Sequence, residues 1–218
     1  MSGAAADTAA ATLKSGAAAL GLALAEAQFE QLLAYLALIQ KWNQVYNLTA
    51  VRDPQEMLTH HLLDSLTAVA PLLRHTGGRP ASVLDVGSGG GLPGVVLAIC
   101  RPELLVRCVD TVGKKAAFIQ QVAASLRLPN LQGVHARVES LPGPFDVICC
   151  RAFAALPDFV RWSRQALAPT GVWMAMKGKL PQAEIDALPA DVQLFHVEPL
   201  QVPGLDAERC LLWLRPHA

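Results

Sequence analysis

Two hydrophobic rhythms divide the chain. In its first third, Phe29, Leu32, Leu33, Leu36 and Ile39, then Trp42 or Asn43, recur at three- and four-residue spacing, which predicts one buried face of an amphipathic helix. Asn47-Leu48-Thr49 breaks that helix. Asp53-Pro54-Gln55-Glu56 starts another, with Asp53 as N-cap, Pro54 at the first helical position and Glu56 closing a capping box. It carries His60, His61, Asp64 and Ser65 and ends near Arg74, before the hinge Gly77-Gly78-Arg79-Pro80. From Ser82 the apolar residues come instead in short runs. Residues 83–86, 105–109, 131–134, 145–150, 171–176, 192–197 and 209–214 read as strands, and 95–100, 114–126 and 156–167 as helices. Repeated strand–helix units imply an α/β fold, a mostly parallel seven-stranded sheet with ligands at the carboxyl ends of its strands. The predicted organisation is a disordered or frayed Ala-rich tail at 1–20, a helical extension at 21–78 and an α/β domain at 79–218.

Composition narrows this picture. With 218 residues, 52% hydrophobic and 17% charged, the chain can bury a sizeable core and is not disordered. Lys+Arg 18 balances Asp+Glu 18, so any nucleic-acid binding must come from a local basic patch. Cys100, Cys108, Cys149, Cys150 and Cys210 are odd in number and form no C-x-x-C, which points to thiols used as small core residues in a reducing compartment. No apolar run is long and unbroken enough to predict a membrane span. Lys14 and the Ala23-Leu24-Ala25 triplet mimic a secretory signal, but Asp7 lies ahead of Lys14 and the pattern continues into the amphipathic helix, which favours a helix.

The densest signal is Ser82 to Gly94, SVLDVGSGGGLPG: strand, glycine loop, helix. Such a loop lets backbone approach a ligand, and the helix that follows aims free N–H groups at it. G-x-G-x-x-G fits at Gly89–Gly94, but five glycines in eight positions match many templates. The better register places Asp85 at the strand end and Gly87-Ser88-Gly89 in the turn, which resembles motif I of S-adenosylmethionine-dependent methyltransferases. A flexible turn without a ligand is the bland alternative. Asp110 ends the second strand, where a carboxylate can accept both ribose hydroxyls or cap the next helix. Val138-Glu139 follows the third strand, on the adenine side. Arg151 ends the fourth strand and is expensive to bury without a partner. Lys177 ends the fifth, beside Arg151 if those strands are neighbours. Lys114 and Lys115, at the start of the helix after Asp110, and Arg137 complete a basic rim. Cys149 and Cys150 could attack a pyrimidine ring as C5 methylation requires, but they sit in an apolar strand without a Pro-Cys motif. His60, His61 and Asp64 lack a second cluster to complete a metal site, so packing or capping roles are favoured.

The segments KWNQVYNLTAVRDPQEMLTHHLLDSL, VLDVGSGGGLPG, VDTVGKKAAFI, CRAFAAL, MKGK and QVPGLDAERCLLWL resemble, in this order, the bacterial glucose-inhibited division protein B family, the 16S ribosomal RNA guanine-N7 methyltransferases. The resemblance spans about 21–214. His60 stands where the family has a basic residue, and Cys150 where it has serine. The resemblance implies a cytoplasmic Rossmann-like enzyme that uses S-adenosylmethionine and acts on 16S rRNA within the small subunit, as a monomer, with no DNA or membrane partner. Cofactor contacts are expected at Gly87, Gly89, Leu92, Asp110, Val138, Glu139 and Arg151, with no metal. Lys114, Arg137, Lys177 and Arg209 are expected to bind RNA, and Arg151 and Lys177 to serve the reaction centre. Guanine N7 carries its own lone pair, so such a site needs neither nucleophile nor general base. A nicotinamide-dependent oxidoreductase and a non-catalytic nucleotide-binding module are the competing classes. The first requires a catalytic His or Tyr after a later strand, for which no convincing candidate exists.

Overall fold

The computed structural model describes residues 3–217. Among them β1 (Ser82–Val86), β2 (Leu105–Asp110), β3 (Leu131–His135), β4 (Phe145–Arg151), β5 (Leu167–Lys177), β6 (Val192–Leu200) and β7 (Arg209–Pro216) form one sheet in the order β3-β2-β1-β4-β5-β7-β6. The first five strands are parallel. β7 runs antiparallel between β5 and β6, because no helix separates β6 from β7 and a hairpin connection forces that sense. The strand order reverses between β1 and β4, and the crevice of such a sheet lies outside the strand ends at that switch point.

Side chains alternate between the two faces of the sheet, and both faces are covered. Val83, Val106, Val147, Met174 and Trp213 belong to one core, which also takes in the helical extension, α6 (Gly94–Cys100) and α7 (Gly113–Ser125). Leu84, Val109, Ile148, Trp173 and Leu212 belong to the other, with α8 (Leu156–Ser163). The helix expected to run to 167 stops at Ser163 and passes through a 3-10 turn, Arg164–Ala166, because β5 already begins at Leu167.

The tail expected to fray is a helix, α1 (Gly3–Ala19). Leu13 and Ala17 are fully buried, and Gly16 lies so close to Leu63 that a Cβ there would meet Cδ2 at 2.5 Å. An alanine run reads as low complexity, yet alanine is the best helix former, and here it allows close packing. α2 (Glu26–Tyr46) buries Leu32, Tyr35, Leu36, Ile39 and Asn43, the periodic face, and ends at Asn47 in the left-handed region (φ 49°). Its Gln28 Nε2 donates to the terminal carbonyls Ile99 O and Cys100 O of α6, and Gln31 Nε2 to Leu126 O after α7. The amphipathic helix thus closes the ends of two helices of the α/β domain.

The second predicted helix is a broken series: α3 (Pro54–Met57), a π-helical segment Leu58–Leu63, α4 (Asp64–Leu66) and α5 (Val69–Thr76). Asp53 Oδ1 accepts from the N–H groups of Gln55 and Glu56, both at 2.9 Å, as expected of an N-cap, but Glu56 makes no return bond. The wider π turn lies where the extension meets β4 and is a common device at functional sites.

If α1 is an integral part of the fold, Leu13→Ala should destabilise the protein by about 2–5 kcal/mol. Urea unfolding measures this, and a change below about 0.5 kcal/mol, the surface-substitution range, would show that α1 does not pack.

Candidate active site

The glycine loop after β1 satisfies itself almost completely. Gly87 and Ser88 N–H donate to Val109 O at 2.9 and 3.2 Å, Gly91 and Leu92 N–H to Ser88 O at 2.7 and 3.1 Å, and Gly89 N–H to Asp110 Oδ2 at 3.0 Å. Within 87–92 only the Gly90 N–H has no partner among the described residues. Gly94 N–H donates to Asp85 Oδ2 at 2.8 Å, so the start of α6 is capped from within and does not aim at a ligand as expected. Asp85 is fully buried with Oδ1 unpartnered, and burial pushes its carboxyl up to about 7. Gly87 (φ 65°) is glycine for a protein reason: a Cβ there would strike the Phe153 ring at 2.1 Å. By contrast, a Cβ at Gly89 (φ 57°) or Gly90 would enter open space. Tyr35 of α2 donates its hydroxyl to Gly90 O at 2.5 Å, tying the extension to the loop.

Three contiguous cavities follow the carboxyl edge of the sheet. The first, about 400 Å³, is bordered by Gly87, Asp110, Lys115, Val138, Glu139 and Phe153. The second, about 200 Å³, lies over Gly89, Gly90 and Leu92, with Thr49, His61 and Arg151 opposite. The third, about 500 Å³, is walled by His60, Asp64, Arg151, Lys177 and Arg209. Gly87 and Lys115 border the first two; Thr49, His61 and Arg151 border the last two. Ala152 borders all three and is held at φ 52°, a conformation a non-glycine residue adopts only where its surroundings require it.

Asp110 combines both roles foreseen for it. Its Oδ2 accepts from Gly89 and its Oδ1 from Val112 N–H at 2.9 Å, bracing the loops after β1 and β2, and a carboxylate with two bonds keeps lone pairs for a ligand. Arg137 pairs with Glu139 at 2.7 Å, and this bond holds the Glu139 carboxyl below its ordinary range. Lys114 is exposed and borders none of the three cavities; its neighbour Lys115, 3.7 Å from Asp110 Oδ2, borders two.

The partner that a buried-strand arginine demands is Asp64. Arg151 Nη1 donates to Asp64 Oδ2 and to His60 O, both at 2.7 Å, while Arg209 Nε donates to Asp64 Oδ1 at 2.9 Å. Asp64 is only 3% exposed, so one buried carboxylate holds two guanidinium groups. Lys177 does lie beside Arg151, through the register Arg151↔Met176, and is held by Glu184 Oε2 and Ala154 O, both at 2.8 Å. His61 packs as expected, with Nε2 2.8 Å from Thr49 Oγ1; burial and the nearby Arg151 lower its pKa to about 4, so it is neutral at pH 7. Cys149 and Cys150 are buried, and burial pushes both thiols well above their ordinary range, which leaves neither available as a thiolate. Sequence reasoning placed Lys115 in the basic rim without singling it out from Lys114, and it missed Thr49, Tyr35, Phe153 and the bridging role of Asp64. Only the last had a signal, an arginine whose position required a carboxylate.

The family model for rRNA small subunit methyltransferase G matches residues 28–212. The chain belongs to the rRNA small subunit methyltransferase G family. It is 72% identical to the ribosomal RNA small subunit methyltransferase G of Acidovorax sp. (strain JS42), over 94% of this chain and 95% of that one, and 68% identical to that of Paracidovorax citrulli, over 98% and 92%. Its fold is similar to that of a magnesium protoporphyrin IX methyltransferase from Synechocystis with bound SAM, at TM-score 0.60 and 14% identity, over 83% of this chain and 97% of that one. The Rossmann-like methyltransferase fold and the S-adenosylmethionine-dependent enzyme class expected from the sequence therefore stand for this member of the family. The glycine cradle fits such a cofactor: the Cβ positions of Gly89 and Gly90 meet open space, the Gly90 N–H has no partner among the described residues, and the Asp110 carboxylate holds the neighbouring Gly89 N–H.

Gly90→Ala adds one methyl group to the second cavity without striking protein or requiring positive φ. It should weaken S-adenosylmethionine binding in calorimetry by about 1–3 kcal/mol, as overpacking does, with an unchanged melting temperature. Unaltered affinity would remove the cradle from the binding site.

Proposed function

We propose that this enzyme transfers a methyl group from S-adenosylmethionine to N7 of a guanine in 16S rRNA, acting as a monomer in the cytoplasm on the small ribosomal subunit. The observation that carries the reading, beside family membership, is the run of three cavities joined at Ala152, with Arg151 between the last two. In this reading the first two hold the cofactor and the third admits the target nucleotide. Asp110 accepts from the ribose hydroxyls, Val138 and Glu139 border the adenine, Gly87, Gly89 and Leu92 form the floor, and Arg151 touches both ligands. The cofactor supplies a sulfonium-bound methyl group. Guanine N7 has no proton to lose, so its lone pair could accept that methyl group directly, and neither a nucleophile nor a general base would be needed from the protein. The protein's task is alignment, which can contribute on the order of 7–11 kcal/mol.

The base becomes cationic as it reacts, and the wall of the third cavity suits this. Its three cations, Arg151, Lys177 and Arg209, are offset by two carboxylates, Asp64 and Glu184. The modest remaining positive charge can hold a phosphate or the guanine O6 without strongly opposing charge development at N7. Arg137, exposed beside the first cavity, and Lys114, exposed outside all three, are assigned to phosphates of the RNA. Five buried free thiols agree with a reducing compartment.

The test is methyl transfer from labelled S-adenosylmethionine to small-subunit particles from a strain lacking this protein. Label is expected at guanine N7, detected by chain cleavage at the modified base, and Cys149→Ala with Cys150→Ala should retain turnover within a few fold. Label at a pyrimidine C5 that vanishes with the cysteines would overturn the mechanism.

A further inference from the structure

An aromatic column runs from the glycine loop to the surface. Tyr35, whose hydroxyl holds Gly90 O, stacks with Phe118 of α7 (6.4 Å between ring centroids, 27° between planes). Phe118 meets Trp42 at 5.2 Å, and Trp42 meets Tyr46 at 5.0 Å. The inner end is fully buried, whereas Tyr46 is 40% exposed and its neighbour Val45 is 70% exposed. Exposing adjacent large apolar residues at the end of an amphipathic helix is costly unless a partner covers them. Their place is specific. Immediately after Tyr46 the chain turns through Asn47 into Leu48 and Thr49, which border the second cavity.

The charges around the column select the partner. Lys41 lies one turn before Val45 on α2, and Lys114 one turn before Phe118 on α7. Arg52 donates to Asn47 Oδ1 at 2.6 Å, at the end of α2. All three are exposed, and among the described residues none is paired with a carboxylate. This differs from the cavity wall, where Arg151, Lys177 and Arg209 are all held by Asp or Glu. An exposed aromatic residue at a helix end, with unpaired cations on the two helices of the column and on the segment after α2, matches the chemistry of single-stranded RNA recognition, in which splayed bases stack on aromatic rings while cations follow the backbone.

We infer that Tyr46, supported by Trp42 and Val45, is a stacking platform for an unpaired base of the rRNA flanking the methylated guanine. The inference rests on the rRNA methyltransferase reading and adds a binding surface on the helical extension, outside the three cavities. Because the column is anchored in the core, the platform is already in place before the RNA arrives, and little ordering is needed to form it.

The experiment compares Tyr46→Ala, Tyr46→Phe and Lys114→Ala in binding and methylation of small-subunit particles. Tyr46→Ala should weaken particle binding about tenfold, within the range for loss of one stacked base. It should raise KM, leaving the salt slope and the S-adenosylmethionine affinity unchanged, since stacking releases no counterions. Tyr46→Phe keeps the ring and should remain within about twofold, again on the stacking account. Lys114→Ala should instead lower the salt slope by about one unit. A photoreactive benzoylphenylalanine at position 46 should crosslink to 16S rRNA. Wild-type binding by Tyr46→Ala, a crosslink to a ribosomal protein, or no crosslink would each overturn the platform. Binding is read without turnover, so a wild type that bound through Tyr46 but transferred no methyl group would refute the enzymatic reading and leave the platform standing.

Discussion

One buried carboxylate joins the two parts of this molecule. Asp64 belongs to the helical extension, and Arg151 and Arg209 to the sheet, at the end of β4 and the start of β7. Each oxygen of Asp64 takes one arginine, and Arg151 takes the carbonyl of His60 as well. Removing one partner from such a buried arrangement leaves an uncompensated charge and costs about 3–5 kcal/mol. The geometry depends on the π segment before Asp64, which brings that carbonyl and that carboxylate to the same guanidinium. It also depends on the parallel pairing of β4 and β5, which sets Arg151 next to Lys177.

A second link, Tyr35 to Gly90, ties the extension to the glycine loop. Together the two links explain why the second and third cavities share walls drawn from both parts: Thr49 and His61 from the extension, Arg151 and Ala152 from the end of β4. The extension is therefore part of the site itself and not an appendage to an independent α/β domain.

Much of this was legible in the sequence because it follows from local rules. The amphipathic period placed α2, and the apolar runs placed all seven strands. The SVLDVGSGGGLPG stretch marked the cradle and the site's edge of the sheet. What was not legible depends on packing across distance. Alanine-rich residues 3–19 read as a tail because alanine carries little pattern, yet they dock through Leu13, Gly16 and Ala17. Gly87 read as a ligand-facing glycine and does border the first two cavities, but no local pattern signalled that the ring of Phe153, far along the chain, also excludes a side chain there. Lys114 and Lys115 are indistinguishable by composition, and only the phase of α7 decides which one borders the cavities. The requirement that Arg151 have a partner was legible; the identity of that partner was not.

The central claim is that Asp64 positions both arginines and, through them, the cofactor and the substrate. It is tested most directly by titrating S-adenosylmethionine and measuring methyl transfer to small-subunit particles with Asp64→Asn, a near-isosteric change that removes the charge, in protein shown to unfold cooperatively. The account predicts that cofactor affinity and turnover both fall, although Asp64 borders only the third cavity. A folded Asp64→Asn protein with wild-type affinity and wild-type turnover would contradict it.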